Sequence, residues 1–302
     1  MINQPHPLKK GDTVAITCPA KKPSSDLSDA VSLLESWGLN VIIGQTVHAS
    51  HHQFAGSDEL RAQEFQQFMD DNAVKAIFAA RGGYGTIRMI DRLDFSKFQT
   101  QPKWIVGFSD ITVLHCHVFA NFHIQSIHGQ MPQTIADGTT ASLETLRKAL
   151  FNESLSYQYP TGGMAKLGEA EGILVGGNLS LLIALSGSVS EIDYRDKILF
   201  IEDVGEYLYA IDRMLWVLKR SGKLALLKGL IVGGFTEIKD NDIPFGQTVE
   251  EIILAHVNEY DYPVCFNFPA GHIANNQALV FGNKINLKID EIQSSVYYIY
   301  FE

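Results

Sequence analysis

At 302 residues, 46% hydrophobic and 19% charged, the chain has the length of one large or two medium domains and enough apolar side chains for a sizeable core. A net charge of −10, with no basic stripe, argues against a nucleic-acid partner. The start, Met1 to Lys10, lacks the apolar run of a secretory signal, no stretch is long and apolar enough to cross a bilayer, and Cys18, Cys116 and Cys265 are scattered without metal-ligand spacing. A cytoplasmic setting with reduced cysteines is expected, with no membrane association.

In chain order, Val14–Thr17, Val41–Ile43, Ile77–Ala80, Ile105–Phe108 and Gln125–His128 read as strands. Helical patterns over Asp26–Trp37, Ser57–Met69, Thr86–Arg92 and Ile111–Phe119 lie between them. Strand–helix alternation implies parallel strands covered on both faces by crossover helices. Residues 132–170 carry many Thr, Gly and Ser and one helix, Ser142–Leu150. Further on, Glu171–Gly177, Ile198–Ile201 and Leu230–Gly234 read as strands, and Ala210–Arg220 and Val249–Val257 as helices. Ile285–Leu287 and Ser295–Tyr300 close the chain as antiparallel β. The fold class expected is therefore α/β. A doubly wound, mostly parallel N-terminal domain (1–131) and a connection (132–170) lead to a mixed α+β, β-rich C-terminal domain (171–302), with a cleft between the domains.

Three segments carry chemistry. Ser109 follows the apolar strand ending at Phe108 and opens a helix, so it sits at a strand-to-helix corner where ligands of α/β sheets bind. Such a corner lifts the hydroxyl off the sheet and aims the first helix amides at whatever the oxygen attacks. Gly107 leaves room for it, but Ile111 stands where the Gly-x-Ser-x-Gly elbow has its second glycine. Ser109 reads either as a nucleophile or as a helix cap.

Arg81-Gly82-Gly83-Tyr84-Gly85 follows another strand, and its glycines let backbone amides approach a ligand. The spacing fits neither a dinucleotide fingerprint nor a P-loop, so an oxyanion-binding role beside Ser109 is the better fit; an ordinary turn is the plain alternative. Glu202, Asp203 and Glu206 cluster at a third strand end, where a carboxylate can orient a histidine; Glu202 comes first off the strand. His272 lies in a Pro269-Ala-Gly271 loop that can hold an imidazole in place, with His128 its main rival. His115 and His117 are two apart on a helix and point to different faces, and no metal or cofactor site emerges.

Taken together, Gly11-Asp12, Gly56-Ser-Asp-Glu59 with Arg61, Arg81–Gly85, Gly107–Thr112, Gly176–Leu179, Phe200–Glu206 and Gly271-His272 resemble, in order, the LD-carboxypeptidases. That serine peptidase family includes muramoyl-tetrapeptide carboxypeptidases and microcin-immunity peptidases. The resemblance implies a catalytic triad of Ser109, His272 and Glu202, with Glu206 the competing acid. It implies an oxyanion hole from the amides of Gly83 and Asp110, and a murein tetrapeptide substrate cut before its terminal D-alanine. It also implies a homodimer. Arg81, with Gly82 and Tyr84 of the same loop, is the candidate substrate-binding group, since a guanidinium can grip a carboxylate with two hydrogen bonds. An immunity-type peptidase acting on aminoacyl-nucleotides would use the same triad. A non-catalytic amino-acid-binding protein is the alternative from a different class. A glutamine-amidotransferase-like hydrolase would need cysteine where Ser109 stands.

Overall fold

The structure, a computed structural model, describes residues 2–299. The first half alternates β1 (Thr13–Thr17), α1 (Ser28–Ser36), β2 (Asn40–Ile43), α2 (Asp58–Asp70), β3 (Val74–Ala79), α3 (Ser96–Thr100), β4 (Trp104–Gly107), α4 (Thr112–Phe122) and β5 (Ser126–His128). Helix α5 (Thr140–Leu150) and strand β6 (Ser156–Pro160) follow. The second half runs through β7 (Gly168–Asn178), α6 (Leu179–Ala184), β8 (Lys197–Val204), α7 (Leu208–Arg220), β9 (Gly229–Thr236), α8 (Val249–Val257) and β10 (Val264–Cys265). It ends with β11 (Leu279–Phe281), β12 (Lys284–Ile289) and β13 (Gln293–Tyr298).

Two sheets result. In the first, β2-β1-β3-β4-β5 are parallel and β11 adds an antiparallel strand beside β5. This doubly wound order reverses direction between β1 and β3, which opens a crevice at the carboxyl ends of the strands. In the second, β7 to β10 are parallel, while β12, β13 and β6 continue antiparallel from β7. Successive side chains of β4 and β8 alternate between two buried layers: Trp104, Val106 and Phe200 face one, Ile105, Leu199 and Ile201 the other. Strands covered on both faces read as near-continuous apolar runs, and that made them visible in the sequence.

The expected α/β architecture is found, with corrections in detail. Thr86–Arg92 is a pair of 3-10 turns, not a helix. Its first amide is taken by the Asp110 carboxylate at 2.8 Å, and the carbonyl before it, Gly85, by Arg61. Those ties draw the chain into tight turns. Residues 132–170 contribute β6 to an edge of the second sheet, and β7 already begins at Gly168. Helix α6 was not predicted: it starts directly on the last strand residue, Asn178, whose side chain caps it by accepting from Leu181 N at 3.2 Å, so no turn residue marks the boundary. Strand β11 was also not predicted, because three residues are too few to show a period. The last residue of the expected strand Ser295–Tyr300, Tyr300, lies outside the described residues. Among the described residues, no helix is long and apolar enough to cross a membrane.

Candidate active site

Strand β4 is wholly buried and ends at Gly107; Ser109 then takes φ +63°, a left-handed conformation uncommon for a residue with a β-carbon. The turn is over-determined. His115 Nε2 donates to the Gly107 carbonyl at 2.9 Å, and the amide of Gly129 reaches the same oxygen at 3.3 Å. Strain of this kind persists only where the surroundings enforce it. Ile111, the departure from the elbow pattern, packs where a Gly107 side chain would be: a β-carbon there would lie 2.8 Å from Ile111 Cγ1. No side chain of Ser109 caps the helix, so the capping alternative is not realised.

The glycine loop lies against this corner. A β-carbon on Gly82 would sit 3.0 Å from Ser109 Cβ and 3.2 Å from its Oγ, so only glycine leaves the hydroxyl uncrowded. Two buried side chains hold the loop from behind. Arg61, fully buried on α2, donates to the carbonyls of Gly85 (2.9 Å) and Pro19 and pairs with Asp58. Asp110, the residue after the serine, accepts from the amide of Thr86; burial raises its carboxyl above the usual range, against the pull of that amide and of Arg61. Of the other expected loop residues, Arg81 is half-buried and donates through Nη1 to the Lys22 carbonyl at 3.0 Å, Gly83 is exposed beside the stem of Lys21, and Tyr84 is exposed against Phe54.

The second sheet brings an acid and a base to the same place. Glu202 is fully buried on β8, and its Oε2 lies 2.6 Å from His272 Nδ1. An irregularity in β9 makes this approach possible. Ile201 pairs with Val232 but Asp203 with Phe235, so β9 carries an extra residue at Gly233–Gly234. There the Gly234 amide donates to the carbonyl of Ala270 at 2.8 Å and draws the histidine loop onto the sheet. Gly271, at φ +114°, passes so close that a β-carbon would lie 2.9 Å from Glu202 Cβ. Burial works against protonating His272, yet the charge and hydrogen bond of Glu202, with Asp203 and Glu237 behind it, raise its value above the ordinary histidine range. The ring packs edge-on against Phe108, the neighbour of Ser109, at 5.0 Å between centroids.

The competing residues go elsewhere. Asp203 accepts from Asn178 Nδ2, from the amide and hydroxyl of Ser180 and from the Val204 amide, at 2.7–2.9 Å, as a scaffold for α6. Glu206 Oε1 lies 3.2 Å from the same Ser180 hydroxyl, a weaker share of the one proton that Asp203 takes. His128 is fully buried among the rings of Phe108, Phe200 and Phe281, and burial holds its value well below the ordinary range.

Sequence reasoning assigned no role to the residues that join the two sheets. The Asn178 amide donates to Thr112 Oγ1 at 3.0 Å, and Gly177 has no side chain to obstruct it: a β-carbon would lie 2.5 Å from that oxygen. Asn276, fully buried, accepts through Oδ1 from the Gly271 amide at 2.9 Å and lies 3.2 Å from His128 Nε2. The available signal was a polar residue at the end of an apolar run, in Gly176-Gly-Asn178 and in Asn275-Asn276 before Ala278-Leu-Val-Phe281.

Comparison with known proteins gives one consistent result. The model of the LD-carboxypeptidase N-terminal domain matches residues 14–129, and that of the LD-carboxypeptidase C-terminal domain matches residues 171–287. A Bacillus subtilis protein named "Probable murein peptide carboxypeptidase" is 36% identical over 95% of this chain and 92% of its own length. The crystal structure of muramoyltetrapeptide carboxypeptidase from Oxalobacter formigenes is 30% identical and superposes with a TM-score of 0.85 over 94% of this chain and 98% of that one. The microcin C7 self-immunity protein MccF, at 21% identity and a TM-score of 0.87 over the whole of both chains, shares the fold.

Proposed function

The chain belongs to the LD-carboxypeptidase family of peptidases, and from that premise we propose that it is a serine carboxypeptidase that releases terminal D-alanine from murein tetrapeptides during cytoplasmic peptidoglycan recycling. The observation that carries this reading is the Glu202–His272 hydrogen bond, with the imidazole packed beside the strained Ser109 corner. Glu202 holds Nδ1–H, which leaves Nε2 as the free base. His272 takes the proton of the Ser109 hydroxyl as Oγ attacks the scissile carbonyl between the third residue and D-alanine. The developing oxyanion is met by the amides of Gly83 and Asp110; the glycine loop is held nearby, at the Gly85 carbonyl by Arg61 and at the Thr86 amide by the Asp110 carboxylate. Imidazolium then protonates the leaving amine and the acyl ester remains on Ser109. Water, deprotonated by the same ring, hydrolyses that ester and restores the serine. Glu202 stabilises the imidazolium in both halves without taking its proton.

The partition that goes with this mechanism assigns serine and oxyanion donors to an N-terminal domain (1–131) and acid and base to a C-terminal one (171–302), with 132–170 between them. The test incubates the protein with free and UDP-muramoyl tetrapeptides and measures released D-alanine, with Ser109→Ala alongside. Release by the wild type and not by the variant is expected. A well-folded wild type that releases none from any tetrapeptide excludes the murein role, and aminoacyl-nucleotide substrates become the next test.

A further inference from the structure

We propose that Asn276, clasped to His128, is a positioning residue that fixes where His272 stands relative to Ser109. The inference rests on reading Ser109 and His272 as nucleophile and base. It starts from a path of four short links. His128 is the register partner of Gly107, two residues before Ser109, across the parallel pair β4–β5. Its Nε2 lies 3.2 Å from Asn276 Oδ1, and the same oxygen accepts from the amide of Gly271 at 2.9 Å. Gly271 is the residue before His272. One carbonyl oxygen therefore ties β5, the strand paired beside the one that presents the nucleophile, to the loop that presents the base.

The chemistry of the clasp is fixed by burial. Because an amide N–H already defines Asn276 Oδ1 as an acceptor, His128 must donate through Nε2, so its neutral Nε2–H tautomer is required. Burial and the nearby rings of His115 and His272 oppose a positive charge on His128, which keeps it in that neutral form. The ring is wedged between Phe108 and Phe200, and Phe108 also touches His272. A neutral, immobile donor is a suitable post for such a tie. On the other side of Gly271, Glu202 touches His272 through Nδ1 and packs against Gly271 itself. Asn276 and Glu202 thus restrain the loop from opposite ends: one holds its backbone, the other the ring. Displacing a catalytic group by about 1 Å can cost roughly 100-fold in rate.

The experiment uses the full chain and two readouts: the rate at which a fluorophosphonate labels Ser109, and the NMR titration of the His272 ring. The groups facing that ring are Glu202, Asp203, Glu237 and neutral His128. Asn276→Leu keeps the branched shape and removes the acceptor. It is expected to slow labelling roughly 10–100-fold and to let His272 titrate closer to an ordinary histidine as its grip on Glu202 loosens. His128→Leu should move both readouts in the same direction, and His128→Gln, which keeps a neutral donor near the Nε2 position, should return them towards wild type. The Asn276→Leu/His128→Leu double variant should be no worse than Asn276→Leu alone, as expected of a single unit. Wild-type labelling and titration in Asn276→Leu overturns the proposal. So does a loss of labelling with an unchanged titration, which would mark a merely structural role. If Asn276→Leu does not fold, the His128 pair decides by the same two readouts. If Ser109→Ala labels as fast as wild type, the nucleophile assignment fails, and the ring titration still decides whether Asn276 places His272.

Discussion

Glu202 and His272 lie 70 residues apart in sequence yet meet at 2.6 Å, because an extra residue in β9 lets the histidine loop settle over the end of β8. The carboxylate has no exposure, while the side chain of its partner is 20% exposed. The pair is thus buried on the side of Glu202 and open on the side of His272, as the proposed proton transfer needs.

The first prediction follows from charge. Glu202 and the acids behind it raise His272, so the ring stays protonated, and unable to act as the proposed base, to higher pH than an ordinary histidine. The acidic limb of kcat/KM should therefore lie above about 6.5, with activity lost as pH falls through it. Glu202→Gln should move the limb down and lower kcat by roughly 10³–10⁴-fold, while Glu206→Gln leaves the limb in place. The same contact bears on stability. A raised folded value favours the protonated ring, so this contribution is complete below the ordinary histidine range and is lost as pH rises through the value in the folded protein. A pH–rate profile of the three proteins decides. A limb in the ordinary range that ignores Glu202→Gln would refute the argument.

A second prediction separates strain from catalysis at Ser109. Its φ of +63° disfavours any residue with a β-carbon. Ser109→Ala and Ser109→Gly both remove the hydroxyl and should both be inactive. The left-handed penalty of about 1–2 kcal/mol falls on alanine alone, offset by the greater freedom of glycine in the unfolded chain, about 0.5–1 kcal/mol. Ser109→Gly should thus equal or exceed Ser109→Ala in stability by up to about 1.5 kcal/mol. Urea denaturation of the two variants measures the difference. A glycine variant clearly less stable than the alanine variant would mean that the corner stores no strain.

Parts of this arrangement were legible in the sequence for definite reasons. Ile105, Val106, Leu199 and Phe200 lie in strands buried on both faces, so they stand out as apolar runs, and each run ends at a residue of chemical interest. Glu202 was preferred to Asp203 and Glu206 as the first acid off the strand, but the reason it meets His272 was not legible. Neighbours on a strand alternate faces, but which face meets His272 depends on the β9 irregularity, and Gly233-Gly234 reads as an ordinary strand end. The ties between the sheets, Thr112 to Asn178 and His128 to Asn276, join residues 66 and 148 positions apart. No local periodicity records such pairs. The resemblance to a family supplied the order of segments, and the geometry shows which atoms face one another.

Arg81 carries the third prediction. A carboxypeptidase discriminates a free terminal carboxylate from a blocked one, and Arg81 stands at the mouth of the glycine loop with Nη1 held by the Lys22 carbonyl. If its guanidinium grips the carboxylate, Arg81→Ala should raise KM for the free tetrapeptide by roughly tenfold or more, the value of one charge-assisted contact, and leave the C-terminal amide unaffected. The measurement is kcat/KM for the acid and the amide in both proteins. An unchanged ratio between the two substrates would assign the carboxylate to another group.

Arg61 supplies the last prediction, and it concerns the scaffold that the glycine loop beside Ser109 depends on. Its guanidinium is fully buried and serves three partners: Gly85 O, Pro19 O and Asp58. Asp58 has a second cation in Arg88, at 3.0 Å through both carboxylate oxygens, so it would not be left unpaired. The Gly85 carbonyl keeps the Arg88 amide at 3.1 Å, but among the described residues no second donor reaches the Pro19 carbonyl. Arg61→Met, which keeps much of the volume, should therefore cost about 1–3 kcal/mol for the abandoned buried Pro19 acceptor. The loss should reach further than stability, because Gly85 precedes the Thr86 amide that Asp110 holds, and Gly82 of the same loop borders Ser109. With that loop untied, kcat should fall well beyond any change in KM, although Arg61 contacts neither the serine nor the histidine. Urea denaturation together with kcat and KM tests both parts. Wild-type stability in Arg61→Met would show that water replaces the arginine at no cost, and wild-type kcat would show that the loop holds its shape without it.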